Sequence, residues 1–346
     1  MIKIGITGSY GKTSTAEILY QYLLFLNKKV ALYCTNGIFK NGETAIKNFF
    51  TTSYPKYKME KDIVKLEEEG YEYVIIEVKG ELFMVDPSYV SLDIIGLTNF
   101  DSELVNNFEE SVALYRMCKQ KALDQGKVSL IPDNLVNKFT NYTGTWSNYD
   151  ILNLNPVVIK VDNTEVVTDL IGVHHVYNIS LAIHILKELN IFEINSFREF
   201  ASNINIRGRY VKYIVGGHDI ILDTGWVGFE HILPVLKQIY GNDMKFNLVF
   251  VPISYNNDTD TTKLYRERSK DALSQANLIL VNATQDEKLI RDKYLNSDYP
   301  LNKMQSDKDM HVCFQRAFET LEDNAILFIM ARTKFREYKH IIEELV

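Results

Sequence analysis

The feature that most limits how this chain can fold lies within its first 26 residues. An apolar, β-rich run from Ile2 to Ile6 passes through Gly8-Ser9-Tyr10-Gly11-Lys12-Thr13-Ser14 into a helical stretch, Thr13 to Leu26. A strand that hands over to a helix through a glycine turn is the first half of a βαβ unit, so a parallel sheet covered by helices is expected around it. After its first turn the helical stretch is apolar on nearly every face, which predicts a buried helix.

That junction also carries chemistry. Backbone N–H groups of such a loop and the N-terminus of the helix behind it together attract a polyphosphate. Gly8 and Gly11 allow close backbone approach, Lys12 can reach the β- and γ-phosphates, and the Thr13 hydroxyl can ligate Mg²⁺. Ser9, Tyr10 and Ser14 complete the cradle. The full Gly-x-x-x-x-Gly-Lys-Ser/Thr spacing needs a glycine where Ile6 stands, so the match is to a shorter form, Gly-x-x-Gly-Lys-Thr. A glycine turn with a chance lysine is the bland alternative, and the order strand, loop, Gly-Lys-Thr-Ser, helix argues against it. A GTPase would also want Asn-Lys-x-Asp after a later strand, and Thr98-Asn99-Phe100-Asp101 lacks the lysine. ATP is therefore the expected nucleotide.

Further apolar runs recur between helical stretches: Val30 to Tyr33, Tyr73 to Val78, Asp93 to Leu97 and Val128 to Ile131. The alternation predicts a mainly parallel sheet of α/β class. Short strands at Val157 to Val161 and Glu165 to Leu170, then a helix at Tyr177 to Leu189, suggest the edge of a first domain. A second α/β series follows, with strands at Asp219 to Leu222, Phe246 to Val251, Leu278 to Val281 and Ala325 to Met330. A boundary on the coil near Ile206 to Arg209 divides the chain into residues 1–205, a phosphate-loop domain, and 206–346, a smaller Rossmann-like domain. A length of 346 residues suits two domains that each bury a core.

With 46% hydrophobic and 24% charged residues, the composition is that of a folded protein. A net charge of -7 gives no support to a nucleic-acid partner, and no run reaches the roughly 18 apolar residues of a membrane span, so a cytoplasmic protein is expected. Cys34, Cys118 and Cys313 are widely spaced and read as buried thiols in a reducing compartment.

In the order of its motifs the chain resembles the Mur ligase family, ATP-dependent amide-forming enzymes that include muramyl-peptide synthetases, folylpolyglutamate synthetase and the ligase half of cyanophycin synthetase. Ile6 to Thr15 resembles the family's phosphate loop, and Thr51-Thr52 its substrate-side pair. Glu77 falls on the metal-binding glutamate. Tyr115-Arg116-Met117-Cys118-Lys119 resembles the segment whose lysine is carbamylated in many members. Gly172 and Asn178 resemble the adenine-contacting stretch, Gly208-Arg209 the interdomain Gly-Arg, and Asp223 the acid that holds the ribose.

The resemblance implies an ATP- and Mg²⁺-dependent ligase that joins a small-molecule acid to an amine through an acyl phosphate. Lys12, Lys119 and Arg209 would be catalytic, Thr13 and Glu77 would hold the metal, and closure of the two domains would bring Arg209 and Asp223 onto the nucleotide. The bland alternatives are a solvated strand end for Glu77 and Asp223, a solvated helix face for Lys119 beside Lys121, and a helix cap for Asn178. His174 and His175 are adjacent and lack a third ligand, so zinc is not expected.

Four departures from the family stand out. The chain starts just before the phosphate loop, so the UDP-binding N-terminal domain of muramyl-peptide synthetases is expected to be absent. The histidine of the family's Asp-His-Leu is missing from Phe100-Asp101-Ser102-Glu103-Leu104, which puts a second metal in question. Asp223-Thr224-Gly225-Trp226 keeps an acid and loses a histidine, and His175 replaces the first asparagine of the adenine segment. These changes leave open a nucleotide-binding subunit that works with a protein partner, such as a glutaminase supplying ammonia, or a catalytically weakened regulator. A small-molecule kinase is a third reading.

Overall fold

A computed structural model of the chain describes residues 1–47, 56–78, 90–101, 109–224, 229–251, 267, 269–282, 287–331 and 335–344. These fall into two compact units, Met1–Asn205 and Ile206–Val346.

The first unit is built on β1 (Ile2–Thr7), β2 (Val30–Cys34), β3 (Gly37–Lys40), β4 (Glu43–Lys47), β5 (Tyr73–Glu77), β6 (Leu92–Leu97), β7 (Gly126–Pro132) and β8 (Gly144–Trp146). They form one sheet in the order β4-β3-β2-β5-β1-β6-β7-β8. From β2 to β8 neighbouring strands run parallel, whereas β3 and β4 are added antiparallel at one edge. Every residue of β2 and β5 is buried. That is why β2 reads as an unbroken apolar run and β5 is apolar up to its closing Glu77: a parallel sheet is covered on both faces. The register sets Ile6 beside Glu77 and Tyr33 beside Ile76, so the carboxyl ends of β1, β2 and β5 lie level.

Five helices accompany these strands among the described residues: α1 (Lys12–Phe25), α2 (Lys56–Glu68), α3 (Glu109–Leu123), α4 (Val173–Glu188) and α5 (Ile194–Ala201). As its apolar circumference requires, α1 is buried along most of its length, packed on β2, β5 and α4. Tyr22 of α1 meets Phe197 and Phe200 of α5 at ring centroid distances of 5.1 and 5.3 Å. A small antiparallel sheet of β9 (Asp150–Leu154), β10 (Val157–Val161) and β11 (Thr164–Val167) precedes α4. Its last strand stops short of the expected Leu170 because Thr168 turns the chain: its hydroxyl donates to Val157 O and accepts from the Leu170 N–H, both at 3.1 Å.

The second unit holds β12 (Val211–Val215), β13 (His218–Asp223), β14 (Phe246–Phe250), β15 (Leu278–Asn282), β16 (Met304–Asp307) and β17 (Ile326–Met330), in the order β12-β13-β17-β14-β15-β16. All pairs are parallel except β12 with β13. Its helices include α6 (Phe229–Tyr240), α7 (Glu287–Tyr294), α8 (Met310–Glu319) and α9 (Phe335–Glu344), and residues 269–273 are also helical. The architecture is α/β throughout, with two parallel-dominated sheets. No helix among the described residues is long and apolar enough to cross a membrane.

Candidate active site

The glycine loop leaves the carboxyl end of β1 and enters α1 at Lys12. Gly8 has φ +139° and Gly11 φ +79°, backbone settings that L side chains rarely adopt. Space at both is also taken. A Cβ on Gly8 would stand 2.0 Å from Thr98 Oγ1, and one on Gly11 would stand 2.3 Å from Asn178 Oδ1. Lys12 folds back over the loop, its Nζ donating to the carbonyls of Gly8 (2.9 Å) and Ser9 (3.0 Å). α1 has no acidic residue in its first turn and no side-chain N-cap bond, an opening turn suited to an anion.

The segment after β6 clamps this loop. Ser9 N–H donates to Asn99 O (3.2 Å), Tyr10 N–H to Asn99 Oδ1 (3.0 Å), and Thr98 Oγ1 and Asn99 Nδ2 both donate to Tyr10 O. Thr98-Asn99, which carries no guanine-reading lysine, thus fixes the loop's shape. From α3, Tyr115 OH lies 2.9 Å from Ser9 Oγ, and the Tyr115 ring stacks on Phe100 at 5.5 Å. Lys119, one turn along, is buried with its Nζ 4.7 Å from the Tyr115 ring centre. The solvated-face alternative for Lys119 therefore fails: four residues of spacing put it on the same inward face as Tyr115.

Glu77, the last residue of β5, is only 2% exposed. Thr13 Oγ1 donates to its Oε2 (3.0 Å), and Thr35 donates through both its N–H (2.8 Å to Oε2) and its hydroxyl (3.0 and 2.9 Å to the two oxygens). It is not a solvated strand end. A buried carboxylate flanked by hydroxyl oxygens, beside a polyphosphate cradle, is the hard-oxygen donor set that Mg²⁺ prefers.

Asn178 sits in the second turn of α4 rather than at its cap, against Gly11 and 3.4 Å from the Thr15 hydroxyl, which donates to it. This side chain thus lies against the phosphate loop. A cavity of about 440 Å³ opens next to the clamp, lined by Asn99, Phe100, Asp133, Trp146, Asn148 and Tyr177 among others. Gly172, where the chain turns into α4, is followed by His174 and His175, whose rings lie 4.1 Å apart. Among the described residues no group of three or more His, Cys, Asp or Glu is arranged to hold a metal.

Burial pushes the His174 imidazole down to about 4 from its ordinary 6.5. The unfolded chain then takes up the proton more readily, so this histidine lowers stability as pH falls from 6.5 towards 4 and has no such effect above 6.5. A His174→Gln variant is expected to lose about 3 kcal/mol of that acid-side slope. Urea unfolding at pH 7.5 and pH 4.5 measures it, and an unchanged difference between the two pH values would refute it.

In the second unit, Gly208 O accepts from Thr224 N–H (2.9 Å), Thr224 Oγ1 (3.0 Å) and Arg209 Nη1 (2.9 Å). Arg209 thereby lies along its own turn, 3.3 Å from Thr224 Oγ1. Asp223 closes β13 and is buried, and burial together with this carboxylate holds the Tyr210 phenol well above its ordinary value. Within the first unit the fold gathers Gly8 to Ser14, Glu77, Lys119 and Asn178; Arg209 and Asp223 cluster separately within the second. Thr51 and Thr52, like Ser102 to Leu104 and Gly225-Trp226, lie outside the described residues. Thr35 was not foreseen. The signal was there: it follows β2 by one residue, and β2 pairs in parallel with the strand that ends in Glu77.

Residues 6–110 match the model of the Mur ligase middle domain. The UDP-N-acetylmuramoyl-L-alanyl-D-glutamate–2,6-diaminopimelate ligase of Helicobacter pylori is 24% identical over 360 aligned positions, covering 95% of this chain and 78% of that protein. Among solved structures, the MurF ligase of Thermotoga maritima in complex with ADP superposes with a TM-score of 0.70 at 16% identity, over 99% of this chain and 79% of that one. The folylpolyglutamate synthase of Thermotoga maritima does so with a TM-score of 0.65 at 14% identity, over 99% and 88% of the respective chains. Residues 6–110 thus carry the Mur ligase middle domain, and along nearly its whole length the chain is similar to Mur ligases and shares their fold.

Proposed function

We propose that this protein is an ATP-dependent carboxylate–amine ligase that works through an acyl phosphate and releases ADP and phosphate. The observation that carries the reading is the convergence of Thr13 and the buried Glu77 at the foot of a loop that Lys12 already overhangs. A carboxylate is a poor electrophile. Making it reactive requires phosphoryl transfer, which depends on positive charge placed against phosphate and carboxylate oxygens.

In this reading the loop from Gly8 to Ser14 cradles the polyphosphate and Lys12 swings from the loop carbonyls to the γ-phosphate. Thr13 and Glu77 supply oxygen ligands for Mg²⁺, which when bound neutralises charge developing on the phosphates. Lys119, buried beside Tyr115, bears on the acid, either as an ammonium or, once carbamylated, as a further oxygen donor. Thr51 and Thr52 are assigned to the acid side by resemblance. Arg209 adds charge, Asp223 takes the ribose, and the amine attacks the acyl phosphate to expel phosphate. The cavity beside Asn99 and Tyr177 has room for the base.

Incubation with ATP, Mg²⁺, a panel of candidate acids and hydroxylamine tests the reaction class. The expected products are a hydroxamate with one of the acids, ADP and phosphate in equal amounts. Failure to form hydroxamate with any acid, or release of AMP, would refute it.

A further inference from the structure

One face of α1 is stitched to the two-residue turn between β2 and β3. Thr13, Glu17 and Gln21 recur every four residues and so share a face of the helix. Thr13 reaches Glu77, which Thr35 grips from the turn. One helical turn on, the fully buried Glu17 accepts from Asn36 Nδ2 (3.4 Å) at one oxygen and from Gln21 Nε2 (3.3 Å) at the other. A buried carboxylate is costly and is retained where donors meet it. Here it ties Asn36, and with it the neighbouring Thr35, to the phosphate-loop helix. The turn has little room to shift, since a Cβ on Gly37 would come within 2.5 Å of Ile46 O.

We infer that Thr35 is a positioning residue for the metal-side carboxylate: it sets the orientation of Glu77, and Glu17 holds the turn that carries it. This rests on reading Glu77 as a ligand of the nucleotide-bound cation. Thr13 offers Glu77 a single hydrogen, and its oxygen is wanted by the metal. Thr35 contributes two donors, one from the backbone, and its hydroxyl lies within 3.0 Å of both carboxylate oxygens, so it governs the plane in which the carboxylate lies. Partners that orient a metal ligand in this way are worth roughly 10- to 100-fold in metal affinity.

Calorimetric titration of the full chain with Mg²⁺ at saturating ADP, and with ADP in the presence of chelator, separates this role from a structural one. Thr35→Val keeps the branched shape and the backbone donor but removes the hydroxyl. It is expected to weaken Mg²⁺ binding roughly tenfold or more while leaving metal-free ADP binding as in the wild type, and Thr35→Ser is expected to restore Mg²⁺ binding. Thr35→Ala carries the same expectation as Thr35→Val should the latter not fold. Wild-type Mg²⁺ affinity in the folded valine or alanine variant, or equal losses with and without metal, overturns the inference. Glu77→Gln runs alongside: if it too binds Mg²⁺ normally, the metal-side reading of Glu77 falls, whereas a defect in Glu77→Gln alone removes only the role given to Thr35.

Discussion

Replacing Lys12 by alanine is expected to lower ATP turnover by roughly 10²- to 10³-fold, the scale seen when one preorganised donor to the developing charge is removed. Lys12 Nζ now rests on the carbonyls of Gly8 and Ser9, so it is held over the cradle without being locked in it. Lys12 is only part-buried, and the loss of those two bonds should cost little stability. Unchanged thermal unfolding with lost turnover is the signature of a functional lysine. A variant that retains turnover would show that the phosphates lie elsewhere.

A larger combined effect is expected for Gly8→Ala. The added methyl must be accommodated at φ +139°, and its carbon would lie 2.0 Å from Thr98 Oγ1 and 3.1 Å from both Asn99 N and Asn99 O. A side chain could turn away, but backbone cannot easily do so, and the clash strikes the very segment that holds Ser9 and Tyr10 through their N–H groups. Backbone strain and overpacking together should cost roughly 2–4 kcal/mol. Turnover should fall by about 10²-fold through misplacement of the loop alone. Urea denaturation and steady-state kinetics check the two parts, and a stable, active Gly8→Ala variant would mean the loop is not held as described.

The sheets were largely legible in the residues because burial on both faces leaves an unmistakable pattern. Val30 to Tyr33 is an uninterrupted apolar run, Tyr73 to Val78 and Phe246 to Val251 are each broken by a single polar residue, Glu77 and Asn247, and each of the three holds a strand. The hairpin of β3 and β4 was not read. Glu43, Thr44 and Lys47 give it a polar, edge-strand character with no strong alternation, and the one useful cue was Asn41-Gly42 at its turn.

Glu77 could be singled out because a carboxylate closing an apolar strand beside a glycine loop has few other uses. Lys119 could not be told from a solvated lysine, since Lys121 lies close by in the same helix. Only the tertiary fold shows that Lys119 is buried beside the Tyr115 ring while Lys121 is partly exposed. Asn178 was legible as a polar residue in an apolar helix but not as a neighbour of Gly11, a contact between residues 167 positions apart in the chain. Thr35 shows the same limit: its partner is fixed by strand order, and strand order is what a one-dimensional pattern carries least well.

The measurement that bears most directly on this account is a crystal structure of the full chain with Mg²⁺ and a non-hydrolysable ATP analogue. The account predicts the β- and γ-phosphates against the loop from Gly8 to Ser14, Lys12 Nζ moved from the Gly8 and Ser9 carbonyls to the γ-phosphate, and the cation ligated by Thr13 Oγ1 with Glu77 at its side. Phosphates bound away from the glycine loop, or a cation that ignores both Thr13 and Glu77, would contradict it.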